Sequence, residues 1–137
     1  MVYVFDASFV GAIIIPDEYN PRIKEVQAGI GEEETVLVPQ LLWYEISNIL
    51  NKLIRSKRYT LDDVIQFIPL LAAIRLETDS EAGPRYSQKL LRLCDTYNLS
   101  SYDASYLELA ERKEAVLCTL DAALEDAAQK RGVAVLN

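Results

Sequence analysis

Four acidic residues, Asp6, Glu45, Asp103 and Asp121, stand where the surrounding apolar sequence leaves little reason for a carboxylate. Asp6 ends the apolar run Val2-Tyr3-Val4-Phe5, and Asp121 ends the run Ala115 to Leu120. Glu45 interrupts the helix-like stretch Leu41 to Ile54, and Asp103 opens another, Tyr102 to Glu111. Desolvating an unpaired carboxylate is costly. If the fold gathers these four, a bound divalent cation is the least costly way to keep them ionised. The chemistry would then be metal-dependent. Hard cations prefer oxygen ligands, and they activate water and stabilise charge on a phosphate.

Taken singly, three of the acids have plainer explanations. Asp6 suits the N-cap of a helix starting near Ser8, and Asp121 the N-cap of a helix from Ala122 to Arg131. Asp103 suits the positive end of its helix as a first-turn acid. Glu45 resists this treatment. At ~100° per residue it projects between Leu41 and Ile49, inside the apolar stripe. Its alternatives are to reach past the edge of the stripe into water or to pair with a buried Lys or Arg.

These acids need elements to position them, and the chain supplies a regular alternation. With 137 residues, half of them hydrophobic, residues 1–137 are expected to form a single domain. Val2 to Phe5 reads as a strand and Ser8 to Ile15 as a short helix stopped by Pro16. Asn20-Pro21 reads as the cap and first residue of a helix reaching about Ile30, with Gly29 and Gly31 helping to end it. Thr35 to Val38 is a second strand, closed by Pro39. Gln40 to Lys57 is a long helix whose stripe is Leu42, Ile46, Ile49, Leu50 and Leu53. Thr60 caps a helix over Leu61 to Ala73, kinked or broken near Pro69. Ile74 to Glu77 is a weak third strand. Pro84 begins a helix with the stripe Tyr86, Leu90, Leu93, Cys94 and Tyr97, and Ser101 to Arg112 is another. The strand Ala115 to Leu120, the helix Ala122 to Arg131 stopped by Gly132, and the strand Val133 to Leu136 complete the chain. Strands alternating with helices predict a mostly parallel sheet covered on both faces. Ligands in such folds bind beyond the carboxyl ends of the strands, where Asp6 and Asp121 fall.

Composition narrows the chemistry further. There is no histidine, which excludes a Cys/His zinc site, a Ser-His-Asp triad and a Cys-His pair within this chain. The two cysteines, Cys94 and Cys118, lie on an apolar helix stripe and in an apolar strand, as small core residues do. The net charge of −7 argues against nucleic acid as a partner, although the distribution of charge decides binding. No apolar run approaches the ~20 residues that span a bilayer, and no signal peptide is evident, so a cytoplasmic location without a membrane partner is expected.

Four segments in order, Val4-Phe5-Asp6-Ala7-Ser8, Glu45-Ile46-Ser47-Asn48-Ile49-Leu50, Ser101 to Ala110 (SYDASYLELA) and Thr119-Leu120-Asp121-Ala122-Ala123-Leu124, resemble the signature of PIN-domain ribonucleases, nearest to VapC-type toxins of toxin–antitoxin pairs. The resemblance runs over essentially the whole chain. It implies a three-layer α/β/α sandwich around a central, mostly parallel sheet, and an acidic pocket holding one or two Mg²⁺ or Mn²⁺ ions. By matching position, Asp6, Glu45, Asp103 and Asp121 become the metal-site and catalytic acids, and Ser8, Asn48 and Thr119 the polar residues supporting the pocket. Some relatives carry a further acid here, for which Glu125 and Asp126 are nearby but unclear matches. The implied reaction is hydrolysis of RNA phosphodiester bonds to a 5′-phosphate and a 3′-hydroxyl. The implied partners are an RNA substrate, a small antitoxin protein and a second copy of the chain, for which Trp43, Tyr44, Ile54 and Phe67 offer apolar surface unless they pack in the core.

RNA must still approach an acidic protein. Lys52, Arg55, Lys57 and Arg58 end the helix that carries Glu45, and Arg85, Lys89 and Arg92 form a second basic stripe. The first is the better phosphate contact because it shares that helix, although cations also favour helix C-termini for their own sake. Two rivals remain. One is a PIN-fold module that binds RNA or protein with little or no catalysis. The other is a receiver-like or phosphoryl-transfer protein with Asp6 as the phosphorylated carboxylate, against which Ser8 stands where such phosphatases carry a second aspartate.

Overall fold

A computed structural model describes residues 1–18 and 20–137. Its centre is β1 (Val2–Phe5), whose last three residues are buried, as a continuous apolar strand covered on both faces should be. Around it β2 (Thr35–Val38), β3 (Glu77–Thr78), β4 (Val116–Cys118) and β5 (Val135–Leu136) complete a sheet in the order β3-β2-β1-β4-β5. Every pairing is parallel, with Tyr3 opposite Val36 on one side and Val116 on the other. The chain runs outward from β1 through β2 to β3, then crosses back to β4 and β5. Strand order therefore reverses between β1 and β4, the kind of switch point beyond whose carboxyl ends ligands bind in such folds.

Helices cover both faces, giving the expected α/β/α arrangement. The first group is α1 (Ala7–Ile14), α2 (Pro21–Ala28), α3 (Leu41–Arg55), α4 (Leu61–Ile65) and α5 (Ile68–Ala73). The second is α6 (Pro84–Tyr97), α7 (Ser101–Arg112) and α8 (Ala122–Arg131). Right-handed crossovers place the two groups on opposite faces. In keeping with this, α1 packs on α2, α3 and α5, while α7 packs on α6 and α8. A continuous core runs through both layers, with Phe5, Phe9, Leu42, Ile46, Leu107 and Leu117 almost wholly enclosed.

Local chemistry sets the boundaries. Asn20 accepts from Arg22 N at 2.9 Å and Pro21 starts α2. Thr60 and Asp63 form a reciprocal capping box at α4. α6 ends on Asn98 at φ 54° and α8 on Gly132 at φ 83°, both in the left-handed region that stops a helix. The expected helix over Leu61 to Ala73 is two helices, because Pro69 has no N–H and its ring would clash with the Ile65 carbonyl. Restarted at Ile68, the chain carries Pro69 in the first turn of α5, where it is tolerated.

Three strands are shorter than expected. β3 is Glu77–Thr78 rather than Ile74 to Glu77, since Ile74 still belongs to the end of α5 and Arg75 turns at φ 58°. β4 omits Ala115, whose N–H goes to Ala110 O at 2.9 Å, and omits Leu120, which is exposed. β5 omits Val133, whose N–H closes α8 on Ala128 O at 2.8 Å. α1 runs from Ala7 to Ile14, one residue earlier than read from the pattern, because Asp6 is its cap.

Candidate metal and active centre

Asp6 leaves β1 at the sheet's centre and is buried at 4 % exposure. Its Oδ1 accepts from Ser8 Oγ at 2.6 Å and from Phe9 N at 2.9 Å, and its Oδ2 accepts from the Thr119 hydroxyl. Asp6 is thus the N-cap of α1, as expected, and its carboxylate is fixed by three donors at the carboxyl end of β1. Ser8 and Thr119 support the neighbouring strand end as well. Ser8 Oγ accepts from Leu120 N at 3.0 Å, and Thr119 Oγ1 accepts from Asp121 N at 3.0 Å. Asp121 caps α8 by accepting from Leu124 N at 2.9 Å. Asp103 sits in the first turn of α7, its N–H donating to Ser100 Oγ at 3.1 Å.

Glu45 is half-buried on α3. Among the described residues no cation pairs with it. Instead Tyr106 Oη donates to Glu45 Oε1 at 2.6 Å across 61 positions of sequence. Tyr106 lies three residues after Asp103 on α7 and is 1 % exposed. Sequence reasoning missed it. The signal was a tyrosine three residues from an acid on one helix face, which by itself is indistinguishable from core packing.

The electrostatics tie the four acids together. Burial pushes the Asp6 carboxyl above the usual range, against the pull of Ser8, Thr119 and Phe9, and the Asp121 charge adds to the rise. Burial raises Asp103, reinforced by Asp121 and Asp6. Burial raises Glu45, opposed by the Tyr106 hydrogen bond and reinforced by Asp103. Burial also holds the Cys118 thiol neutral, pushed up to about 12, with Asp6 adding to the shift. Among the described residues none of the four acids takes part in an ion pair.

Such a cluster of unpaired carboxylate oxygens fits a hard divalent cation by donor chemistry. Among the described residues, however, no three Asp, Glu or Cys side chains already stand as a group able to hold a metal ion. A cation that retains most of its water needs fewer direct carboxylates, as magnesium commonly does.

The other expected site residues are distributed differently. Asn48 is exposed one turn beyond Glu45 and makes no hydrogen bond among the described residues. Glu125 accepts from Asn137 Nδ2 at 2.8 Å, and Asp126 pairs with Lys130 at 2.9 Å, so both acids have partners on the α8 side. Arg58, also exposed, pairs with Asp17 at 2.6 Å, which leaves Lys52, Arg55 and Lys57 as the cations of that cluster with no ion pair among the described residues. By helix rise, Arg55 lies ~15 Å along α3 from Glu45. Of the apolar surface residues, Phe67 belongs to the core at 8 % exposure, its ring edge-on to Tyr59 at 5.3 Å. Ile54 is half-buried against the core. Trp43 is more open but ties its Nε1 to Thr78 Oγ1 at 2.8 Å, and Tyr44 is 76 % exposed.

A separate, partly buried network also escaped the sequence. Arg112 clamps Asp79 through both terminal nitrogens, at 3.2 and 2.6 Å, and reaches Glu108 at 2.7 Å. It joins the chain after β3 to the far end of α7.

A doubly covered parallel sheet with acids gathered at its switch point defines a class, and comparison with known proteins places the chain in it. The PIN domain family matches residues 3–130, and the chain belongs to that family. PIN domains are in general nucleases. Among solved structures, PAE2754 from Pyrobaculum aerophilum is 28 % identical, with a TM-score of 0.65 over 93 % of this chain and 87 % of that one. A chain of VapBC2 from Rickettsia felis, solved bound to a promoter DNA fragment, is 13 % identical, with a TM-score of 0.72 over 100 % and 98 %. Mycobacterium tuberculosis VapC20, described as a Sarcin-Ricin loop cleaving toxin, is 17 % identical, with a TM-score of 0.66 over 93 % and 95 %. The last two likenesses are of fold. A comparison with curated proteins finds no match. Among the described residues no helix is long and apolar enough to cross a membrane.

Proposed function

We propose that residues 1–137 form one PIN domain that hydrolyses RNA phosphodiester bonds with Mg²⁺ or Mn²⁺, as the toxin of a VapBC-type pair. One observation carries this reading: acids from four separate segments lie close enough for their charges to raise the proton affinity of Asp6, Asp103 and Glu45, and among the described residues none of the four pairs with a cation. Asp6, Glu45, Asp103 and Asp121 would hold one or two ions, with Ser8 and Thr119 fixing Asp6. Bound there, the cation supplies acidity to water and counter-charge to the phosphate. The protein's own part is to fix the carboxylates. Asp6 is locked by three donors, and Asp103 and Asp121 are aimed by helix starts. The products would be a 5′-phosphate and a 3′-hydroxyl.

The substrate must run past α3 for Lys52, Arg55 and Lys57 to meet its phosphates. Arg55→Ala should then weaken RNA binding and lower the slope of log affinity against log salt by about 0.7 for a single strand. An unchanged slope across a salt series removes α3 from the RNA path.

The VapBC2 likeness prompts a small antitoxin that covers the acidic site with a basic residue. Exposed Tyr44 and Trp43, with Ile54 farther along α3, form the surface we assign to a second copy of the chain.

One observation favours a second reading, a PIN-fold module that binds without cleaving: no three acids are yet grouped for a metal. Metal removal separates the two. Cleavage of mixed RNAs should stop in EDTA and return with Mn²⁺ or Mg²⁺, leaving ends that accept 5′-phosphate-dependent ligation. A folded chain that cleaves nothing with either metal is a binding module. Cleavage that persists in EDTA rejects the metal assignment.

A further inference from the structure

Among the described residues no backbone N–H anchors the Glu45 carboxylate. Asp6 and Asp121 each accept a helix-start N–H. Asp103 has its main chain held by Ser100. Glu45 instead sits in the second turn of α3 on a longer, more mobile side chain, half open to water. Left alone it would sample several rotamers, and ordering it would cost the entropy of each torsion fixed. Its one polar contact among the described residues is the hydroxyl of Tyr106, at 2.6 Å on Oε1. Charge-assisted bonds of this length are among the strong ones. Tyr106 is itself immobile, with its ring enclosed at 1 % exposure in the core beneath α7.

We propose that Tyr106 is a positioning residue of the metal site, its hydroxyl holding one oxygen of Glu45 so that the other is left free for the cation. This rests on the metal-dependent reading above. A single helix then performs two tasks: α7 supplies Asp103 and, from the same face one turn on, aims the carboxylate that α3 supplies. Partners of metal-binding carboxylates that make no contact with the metal commonly govern affinity by about 10–100-fold. Tyr106→Phe keeps the ring and its packing and removes only the tether.

The test is calorimetric titration of Mn²⁺ into the wild-type chain and the Glu45→Gln, Tyr106→Phe and doubly substituted variants, each with a thermal melt. Tyr106→Phe should weaken Mn²⁺ binding about 10-fold. In the Glu45→Gln background it should add almost nothing, since residues acting through one another are non-additive. With RNA, kcat should fall while KM holds, as expected for a misplaced catalytic group. A hydroxyl that merely satisfies itself in the core would shift the melt and leave Mn²⁺ affinity alone, and that result overturns the proposal. Should Tyr106→Phe not fold, Glu45→Asp reads the same contact from the other side. It draws the carboxylate back from the phenol by one methylene, and unchanged Mn²⁺ affinity there also overturns the proposal. A wild-type chain that binds no Mn²⁺ rejects the metal reading itself, and the Tyr106 role with it. Wild-type binding that is lost in Glu45→Gln but retained in Tyr106→Phe rejects the Tyr106 role alone.

Discussion

Asp103→Asn should abolish RNA cleavage while leaving the protein folded and, without metal, at least as stable as the wild type at neutral pH. On the metal reading proposed above, the activity loss follows from the removal of one of the four metal-site carboxylates. Metal-assisted charge stabilisation is worth several kcal/mol, on the order of a thousandfold in rate. The stability result follows from sign. The Asp103 carboxyl titrates above its usual range because it is buried and lies near Asp121 and Asp6. A raised folded-state value means that ionisation disfavours the fold: stability is greatest below the ordinary aspartate range and declines as pH rises through the elevated one. Asparagine removes that penalty. The wild-type melt should therefore fall more steeply than the variant's as pH rises above the ordinary aspartate range, and saturating Mn²⁺ should raise the wild-type melt more than the variant's. Full cleavage by a folded Asp103→Asn chain would falsify the site. A variant that melts well below wild type at neutral pH without metal would remove the claim that these acids repel.

The second large effect lies away from the chemistry. Arg112→Ala should destabilise the fold by about 3 kcal/mol, on the order of 10 °C in melting temperature for a domain of this size. Arg112 is the counter-charge for Glu108 and Asp79, whose side chains are 6 % and 14 % exposed. Removing it strands two largely enclosed carboxylates, and breaking a buried pair from one side costs far more than the pair contributes. Desolvation would raise Asp79, but the Arg112 hydrogen bonds and charge outweigh it and leave its carboxyl below the usual range. That contribution is present above the ordinary aspartate range and is lost as pH falls through the depressed value. The wild-type advantage over Arg112→Ala should therefore shrink on acidification. An urea-unfolding difference below about 1 kcal/mol at neutral pH would show that the network is solvated rather than enclosed.

These two sites illustrate different degrees of legibility. Asp6, Asp103 and Asp121 were readable because each ends a strand or starts a helix, and caps follow local rules. Glu45 was readable because helical spacing put it in an apolar stripe. By contrast, nothing local marked Arg112 as different from any other cation in a helix's last turn. The partner after β3 is 33 positions away, and the position of β3 was itself misjudged by a few residues. Arg58 likewise looked like one of four equivalent cations until Asp17 claimed it. Phe67 looked like surplus apolar surface until Pro69 split the helix and turned it inward against Tyr59.

The sequence by itself determined the order of strands and helices, the parallel sheet, the PIN resemblance and the identity of the acids, because periodicity, proline and capping act within a turn or two of the chain. Only the tertiary structure decided which groups face one another. It brought Asp6, Asp103 and Asp121 within electrostatic reach of one another and Glu45 within reach of Asp103, set Tyr106 against Glu45, and gave Arg112 to Glu108 and Asp79. Those contacts depend on crossovers that bring distant segments together. A hydrogen bond between residues 61 positions apart leaves no periodic trace in the chain that makes it.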